Sequence, residues 1–282
     1  MKPSELGMGG VAQASLDRPG RHRVGPDGRL HPAGLAALPA RAPDGAEPDL
    51  FTRSVQGYAA GRPGQPIAVL LAGCATGGDA LDADRLRADG CDLTVSLIDN
   101  DDDVVRAAIS DRDGGPACTL GDLRTVPLPP RSFDVVVCAL LLDRIRNTEL
   151  VLDRFVDTVK PGGLLLLQIR DRDCAAGFLD RKLPEVLRAL VWRAGAPGQP
   201  GPYPAIYEPL VSGRGIQSYV LRRGLVIGQR QALNAPATQR KPPGLLLARK
   251  LVALLSRSKL TWSHDELRYV IRKPEDRFAR VL

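Results

Sequence analysis

Between Ile67 and Ile169 the chain alternates unbroken apolar runs with stretches in which apolar residues recur every three or four positions. Ile67–Ala72 reads IAVLLA and is closed by Gly73, the pattern of a short strand buried on both faces. Beyond it the pattern predicts a helix over Asp79–Ala88, a strand over Leu93–Ile98 and a helix over Asp101–Ile109. Strands over Ala117–Leu120 and Phe133–Leu141, a helix over Thr148–Val159 and a strand over Gly163–Ile169 complete the series. Strands alternating with helices at this spacing predict an α/β fold built on a doubly wound, mostly parallel sheet.

The flanks are read differently. Residues 1–47 are rich in Pro, Gly and Arg with weak periodicity and are expected to form an irregular N-terminal arm, with a short hairpin at Pro26-Asp27-Gly28. A helix over Asp49–Ala60, ended by Gly61, opens a single domain that runs from 48 to 282. The segment 171–223 is longer than a simple crossover and carries Trp192, Tyr203 and Tyr207, so it is expected to form a helical cap. A second cap segment is expected over 240–262, between strands at Leu225–Gln231 and Leu267–Ile271. Within it, Leu245–Leu255 places apolar residues at 247, 251, 254 and 255, a helical stripe beside Arg249, Lys250 and Arg257. The protein's own core or a partner subunit is expected to cover that stripe, with docking on an anionic membrane as the alternative.

Charge changes the picture more than bulk composition does. Residues 1–180 hold 20 basic and 26 acidic side chains, a net of −6; residues 181–282 hold 19 and 6, a net of +13. A basic C-terminal third fits an anionic or lipid-linked acceptor, a nucleic acid or an acidic membrane surface, and equally a solvated basic face. The first ten residues contain no apolar run, and no stretch approaches the roughly 18 apolar residues of a membrane span. The cytoplasm is therefore the expected compartment. The five cysteines, Cys74, Cys91, Cys118, Cys138 and Cys174, show no two-residue pairing, and the histidines are His22, His31 and His264. Neither a disulfide nor a metal site is expected from that spacing.

The chemistry concentrates after the first strand. Gly73-Cys-Ala-Thr-Gly-Gly78 joins a strand to a helix, where small residues let the backbone approach a ligand and amide groups point at it. Asp99 ends the next strand, placed to accept hydrogen bonds from both hydroxyls of a ribose. A nicotinamide dinucleotide would suit these two features as well. The stretch from Gly121-Asp-Leu-Arg to Ser-Phe-Asp134, its Val-Val-Val-Cys continuation, and Val159-Lys-Pro-Gly-Gly163 leading into a strand add to them. In order and spacing this set resembles the successive motifs of class I S-adenosylmethionine-dependent methyltransferases, over a little more than a third of the chain. The resemblance implies a Rossmann-like methyltransferase core with S-adenosylmethionine as cofactor. It implies that Gly73, Ala75 and Gly77 line the methionine portion, that Asp99 binds the ribose, and that Asp122 and Leu123 contact adenine. Two positions depart from the family: Leu71 stands where an acidic residue is usual, and Ala75 where the loop has its middle glycine.

Methyl transfer is an in-line displacement at a sulfonium, so alignment of the acceptor and exclusion of water supply much of the rate. A base is required only when the acceptor must lose a proton. Asp143, in Leu142-Asp143-Arg144 after the fourth strand, is a candidate base or orienting group, with a surface or helix-start role as the plainer alternative. His264, just before the last strand, is a second candidate. A small-molecule acceptor, with O-methylation of a sugar, glycolipid or secondary metabolite, is the expected function. RNA methylation, a binding protein that keeps the fold without the chemistry, and a nicotinamide-dependent oxidoreductase are the rivals.

Overall fold

The computed structural model describes residues 48–77, 80–110, 118–195, 201–233, 250–256 and 260–275. Seven strands form one sheet in the order β3-β2-β1-β4-β5-β7-β6. The strands β1 (Ile67–Ala72), β2 (Leu93–Asn100), β3 (Cys118–Gly121), β4 (Phe133–Ala139) and β5 (Val159–Arg170) run parallel. The last two, β6 (Val226–Leu233) and β7 (Glu266–Arg272), pair antiparallel, with β7 inserted between β5 and β6. The order of β1, β2 and β4 makes β1 the switch point of the sheet, where ligands bind in open α/β folds.

Each central strand is apolar throughout because it feeds two cores. Leu70, Val136, Leu165 and Leu167 face one side with Leu152 and Phe155 of α5 (Thr148–Thr158) and Ile216 and Tyr219 of α8 (Gly213–Arg222). Val69, Leu71, Val137 and Leu166 face the other, under Phe51 and Val55 of α1 (Leu50–Ala60) and Leu86 of α3 (Ala83–Ala88). Leu71 is fully buried in that second core. An ionised carboxylate at this position would have to leave water among leucines and valines, at a heavy cost unless paired.

The first helix starts as predicted, with the Asp49 carboxylate accepting the Thr52 amide at 2.8 Å. Of the helix expected over Asp79–Ala88 the described residues show α3, from Ala83 on, and a single turn not expected there, α2 (Cys74–Gly77), precedes it. Asp82 sets the later start, because its side chain accepts the Arg85 amide and caps α3. Strand β2 extends to Asn100, two residues further than expected, so Asp99 lies inside the ladder, opposite Leu120 of β3. The helix α4 (Asp103–Ser110) follows.

The expectation of no disulfide is corrected: Cys74, at the start of α2, is bridged to Cys118, at the start of β3. Local spacing gives no sign of this pair, since 44 residues separate the two. The fold supplies it by bringing the loop after β1 beside the third strand.

In the segment expected to form a cap, 171–223, the described residues comprise α6 (Ala175–Lys182), α7 (Glu185–Gly195), an irregular run over 201–212 and α8. The expected hairpin at 26–28 and most of the second cap segment lie outside the described residues. Residues 250–255 are helical, and Leu251, Leu254 and Leu255 are exposed while Ala253 is buried. The helix thus turns its alanine inward, and the expected cover over those three leucines is absent among the described residues. No helix among those residues is long and apolar enough to cross a membrane.

One contact fixes the cap to the core. Asn147, the residue before α5, has φ +56° and makes no side-chain cap. Glu208 of the cap takes that place, accepting from the Asn147 amide (2.7 Å), the Thr148 amide (2.9 Å) and the Thr148 hydroxyl (2.7 Å). Partial burial opposes its ionisation, but these bonds hold its carboxyl below the usual range. Glu208→Ala should therefore lower stability by about 1–2 kcal/mol, the scale of a lost helix cap. A depressed folded value means the contribution is complete above the ordinary glutamate range and disappears as pH falls through the folded value. Urea unfolding at pH 7 and in acid checks this: parent and variant should differ at pH 7 and converge in acid.

Candidate functional site

The loop after β1 turns sharply at Gly73, whose φ is +90°. A Cβ there would lie 2.2 Å from the Ala139 carbonyl oxygen at the end of β4, so glycine is needed for passage between strand ends. The single turn of α2 carries Ala75 and Gly77. The Ala75 amide points back at the sheet and donates to Asp99 Oδ2 at 2.9 Å. The Thr76 hydroxyl donates to the Leu140 carbonyl at 3.0 Å.

Asp99 is fully buried, and both of its carboxylate oxygens are engaged. Oδ1 accepts from Arg144 Nη2 at 2.6 Å and from the Asn100 amide at 2.7 Å. Burial pushes its carboxyl above the usual aspartate range, against the pull of Arg144 and of the amides. Arg144 is itself buried, with Nε donating to the Leu140 carbonyl at 3.2 Å and Nη1 lying 3.7 Å from Asp102 Oδ2. Its guanidinium sits 5.2 Å from the centre of the Tyr203 ring, and the Tyr203 hydroxyl is 3.5 Å from the Ala75 carbonyl. Trp192 meets Tyr203 edge to face at 5.7 Å. Tyr203 of segment 171–223 thus lies against the loop. The sequence reading did not single out Arg144 as a partner of Asp99; a lone arginine after the fourth strand carries no such signal.

The other candidates are placed as follows. Asp122 follows β3, and bonds from the Arg124 side chain and amide bring its carboxyl down to about 2. Leu123 beside it is buried in the α5 core. Asp143 is not a surface residue: it is 2% exposed, with Oδ2 3.6 Å from Arg170 Nη1. Its main-chain carbonyl accepts the amides of Ile206 and Tyr207, both at 3.0 Å, and so anchors the cap. Burial pushes its carboxyl up, countered by Arg170 and Arg144. Tyr207, within the cap segment, is buried and donates its hydroxyl to Asp180 of α6 at 2.9 Å. His264 precedes β7, three strands along from β1, and its Nε2 is 3.1 Å from Asp171 Oδ2. The structure therefore gathers the loop, Asp99 and Tyr203 into one cluster and places His264 in another.

The donor set after β1, β2 and β3 fits an adenosine-bearing cofactor in kind: a glycine turn, a carboxylate at the end of β2, and a polar–apolar pair after β3. Arg144 nevertheless occupies Asp99, and no side-chain atom of Asp99 is open to solvent.

Residues 70–167 match a family model described as a methyltransferase domain. No curated protein sequence matches the chain. Among solved structures the chain is similar to an S-adenosylmethionine-dependent methyltransferase of Mesorhizobium loti, at 16% identity and a TM-score of 0.42, over 77% of this chain and 96% of that one. It is similar to phosphoethanolamine N-methyltransferase 2 of Haemonchus contortus, solved with S-adenosyl-L-methionine, at 16% identity and 0.43, over 80% and 53%. The [4+2]-cyclase SpnF gives 13% identity and 0.42, over 79% and 80%.

Proposed function

We propose that this chain, whose core belongs to the class I S-adenosylmethionine-dependent methyltransferases, methylates a small molecule held between that core and the cap over 171–223. The core makes the chain a methyltransferase, and S-adenosylmethionine is its cofactor. The acceptor side rests on one observation: Tyr203 of the cap reaches the loop after β1, with its hydroxyl 3.5 Å from the Ala75 carbonyl. A roof of this kind excludes water and orients an acceptor above the loop, which is what an in-line displacement requires. The cofactor, when bound, supplies a methyl group on a sulfonium.

On this reading Asp99 takes the ribose, Asp122 and Leu123 take the adenine, and the backbone from Gly73 to Gly77 takes the methionine end. Asp143 acts through the cap rather than on the acceptor, since its carbonyl holds Ile206 and Tyr207 and its carboxylate faces Arg170. His264 is proposed to orient Asp171 at the root of α6, not to serve as a base. O-methylation of a sugar, a glycolipid or a secondary metabolite is the first expectation for the acceptor, and RNA is its rival on account of the basic C-terminal third.

Calorimetry tests the cofactor half, with S-adenosylmethionine, its demethylated product and a nicotinamide dinucleotide titrated separately. Binding of the first two alone is expected, and binding of the dinucleotide alone would sink the reading. Transfer of a labelled methyl group into a small-molecule extract, with an RNA pool as the second arm, tests the acceptor half. Label in the RNA arm alone would replace the small-molecule assignment.

A further inference from the structure

We infer that Arg144 is an internal competitor for the ribose seat, so that the cofactor enters only by exchanging a guanidinium for its own hydroxyls on Asp99. This rests on the cofactor reading above.

The sheet order carries the inference first. Asp99 is near the end of β2 and Arg144 follows β4, while β1 lies between those two strands. A side chain that joins them must cross the carboxyl end of β1, directly over the turn at Gly73. That crossing is the switch-point crevice, where a ligand would otherwise lie.

The second argument is occupancy. A ribose presents two hydroxyls to a carboxylate, and here Arg144 and the Asn100 amide fill Oδ1 of Asp99 while the Ala75 amide takes one of the two acceptor sites of Oδ2, so a second hydroxyl finds room only where Arg144 now sits. Asp99 is fully buried, and a hydroxyl can take the Oδ1 position that Arg144 holds only after Arg144 gives it up. The third argument is that a second seat exists. Asp102, at the start of α4, already lies 3.7 Å from Nη1, and its side chain is 25% exposed against 1% for Arg144. Arg144 Nη1 has no hydrogen-bond partner among the described residues. A pivot toward Asp102 would give it one and keep the cation paired, so leaving Asp99 does not mean crossing an apolar region uncompensated. The Tyr203 ring lies by the same guanidinium and Trp192 meets Tyr203 edge to face, so the exchange has a reporter.

The size of the effect follows from population. If the open form is a tenth of the molecules, the apparent Kd is tenfold above the intrinsic one. The demethylated product is titrated into full-length protein carrying Trp262→Phe, so that Trp192 is the tryptophan observed, with calorimetry in parallel. Arg144→Gln should bind at least tenfold more tightly than the parent, and the change in Trp192 emission seen in the parent should be largely lost. Equal or weaker binding by a folded Arg144→Gln protein overturns the inference and leaves the cofactor reading standing. Binding by neither protein at millimolar ligand removes the cofactor reading, and the inference with it.

Should Arg144→Gln fail to fold, Asp102→Asn decides. Asparagine still caps α4 through the bond that Asp102 Oδ1 accepts from the Val105 amide at 2.9 Å. It removes the second seat's charge, so product affinity should fall several-fold with the fold intact. Unchanged or tighter binding in that variant overturns the inference.

Discussion

Gly73→Ala is expected to lower stability by about 4 kcal/mol, combining left-handed backbone strain with overpacking. The added methyl would sit 2.2 Å from the Ala139 carbonyl oxygen and 3.2 Å from Leu141 Cβ, at a φ of +90°. Neither neighbour is the free end of a flexible side chain. Ala139 closes β4, paired with Gln168 of β5, and Leu141 is fully buried in the α5 core. Relief would therefore have to come from the loop, which the Ala75–Asp99 and Thr76–Leu140 bonds hold in place. Urea unfolding followed by circular dichroism measures the loss. A change under about 1 kcal/mol would mean that the turn can be rebuilt without glycine.

Asp99→Ala should be nearly as damaging, for an electrostatic reason. Removing the carboxylate leaves Arg144 buried with its closest ionic partner gone and breaks the 2.9 Å bond from the Ala75 amide. Breaking a buried pair from one side costs about 3–5 kcal/mol when the stranded charge has no other partner, and the seat at Asp102 should hold the loss to the lower end of that range. Ligand binding should weaken by a further 1–3 kcal/mol or so, because two ribose hydroxyls lose their acceptor. The double variant Asp99→Asn/Arg144→Met should recover much of the stability but none of the affinity, since it removes the stranded charge and not the need for a carboxylate. A thermal-melt cycle over the four proteins, with calorimetry on each, separates the two effects. A single Asp99→Ala protein as stable as the parent would show that Arg144 finds another partner at no cost, with Asp102 the nearest.

The core strands were legible from the chain alone because continuous apolar runs have one good use in an α/β fold. Ile67–Ala72 was predicted to the residue, and the alternation of Val69 and Leu71 with Leu70 and Ala72 explains the two cores it feeds. The first helix was equally plain, because its start is a local bond between Asp49 and Thr52. The turn at Gly73 and the strand end near Asp99 were legible for the same reason, since the residue types of each short segment announce them.

What the chain did not disclose depends on which strands are neighbours. Cys74 and Cys118 meet because β3 lies near the loop after β1, and no spacing rule connects positions 44 apart. Glu208 caps α5 from 60 residues away, where the local sequence offers Asn147 in a conformation that does not cap. Asp143 read as a surface group or a base, and its burial 3.6 Å from Arg170 removes the surface alternative. Arg144 is the clearest case. Hydrophobic periodicity sets the elements, since burial of apolar area depends on which residues recur along one face. The pairing of Arg144 with Asp99 requires β4 and β2 to flank β1, and a charge's partner is whatever the finished sheet places within a few ångströms of it.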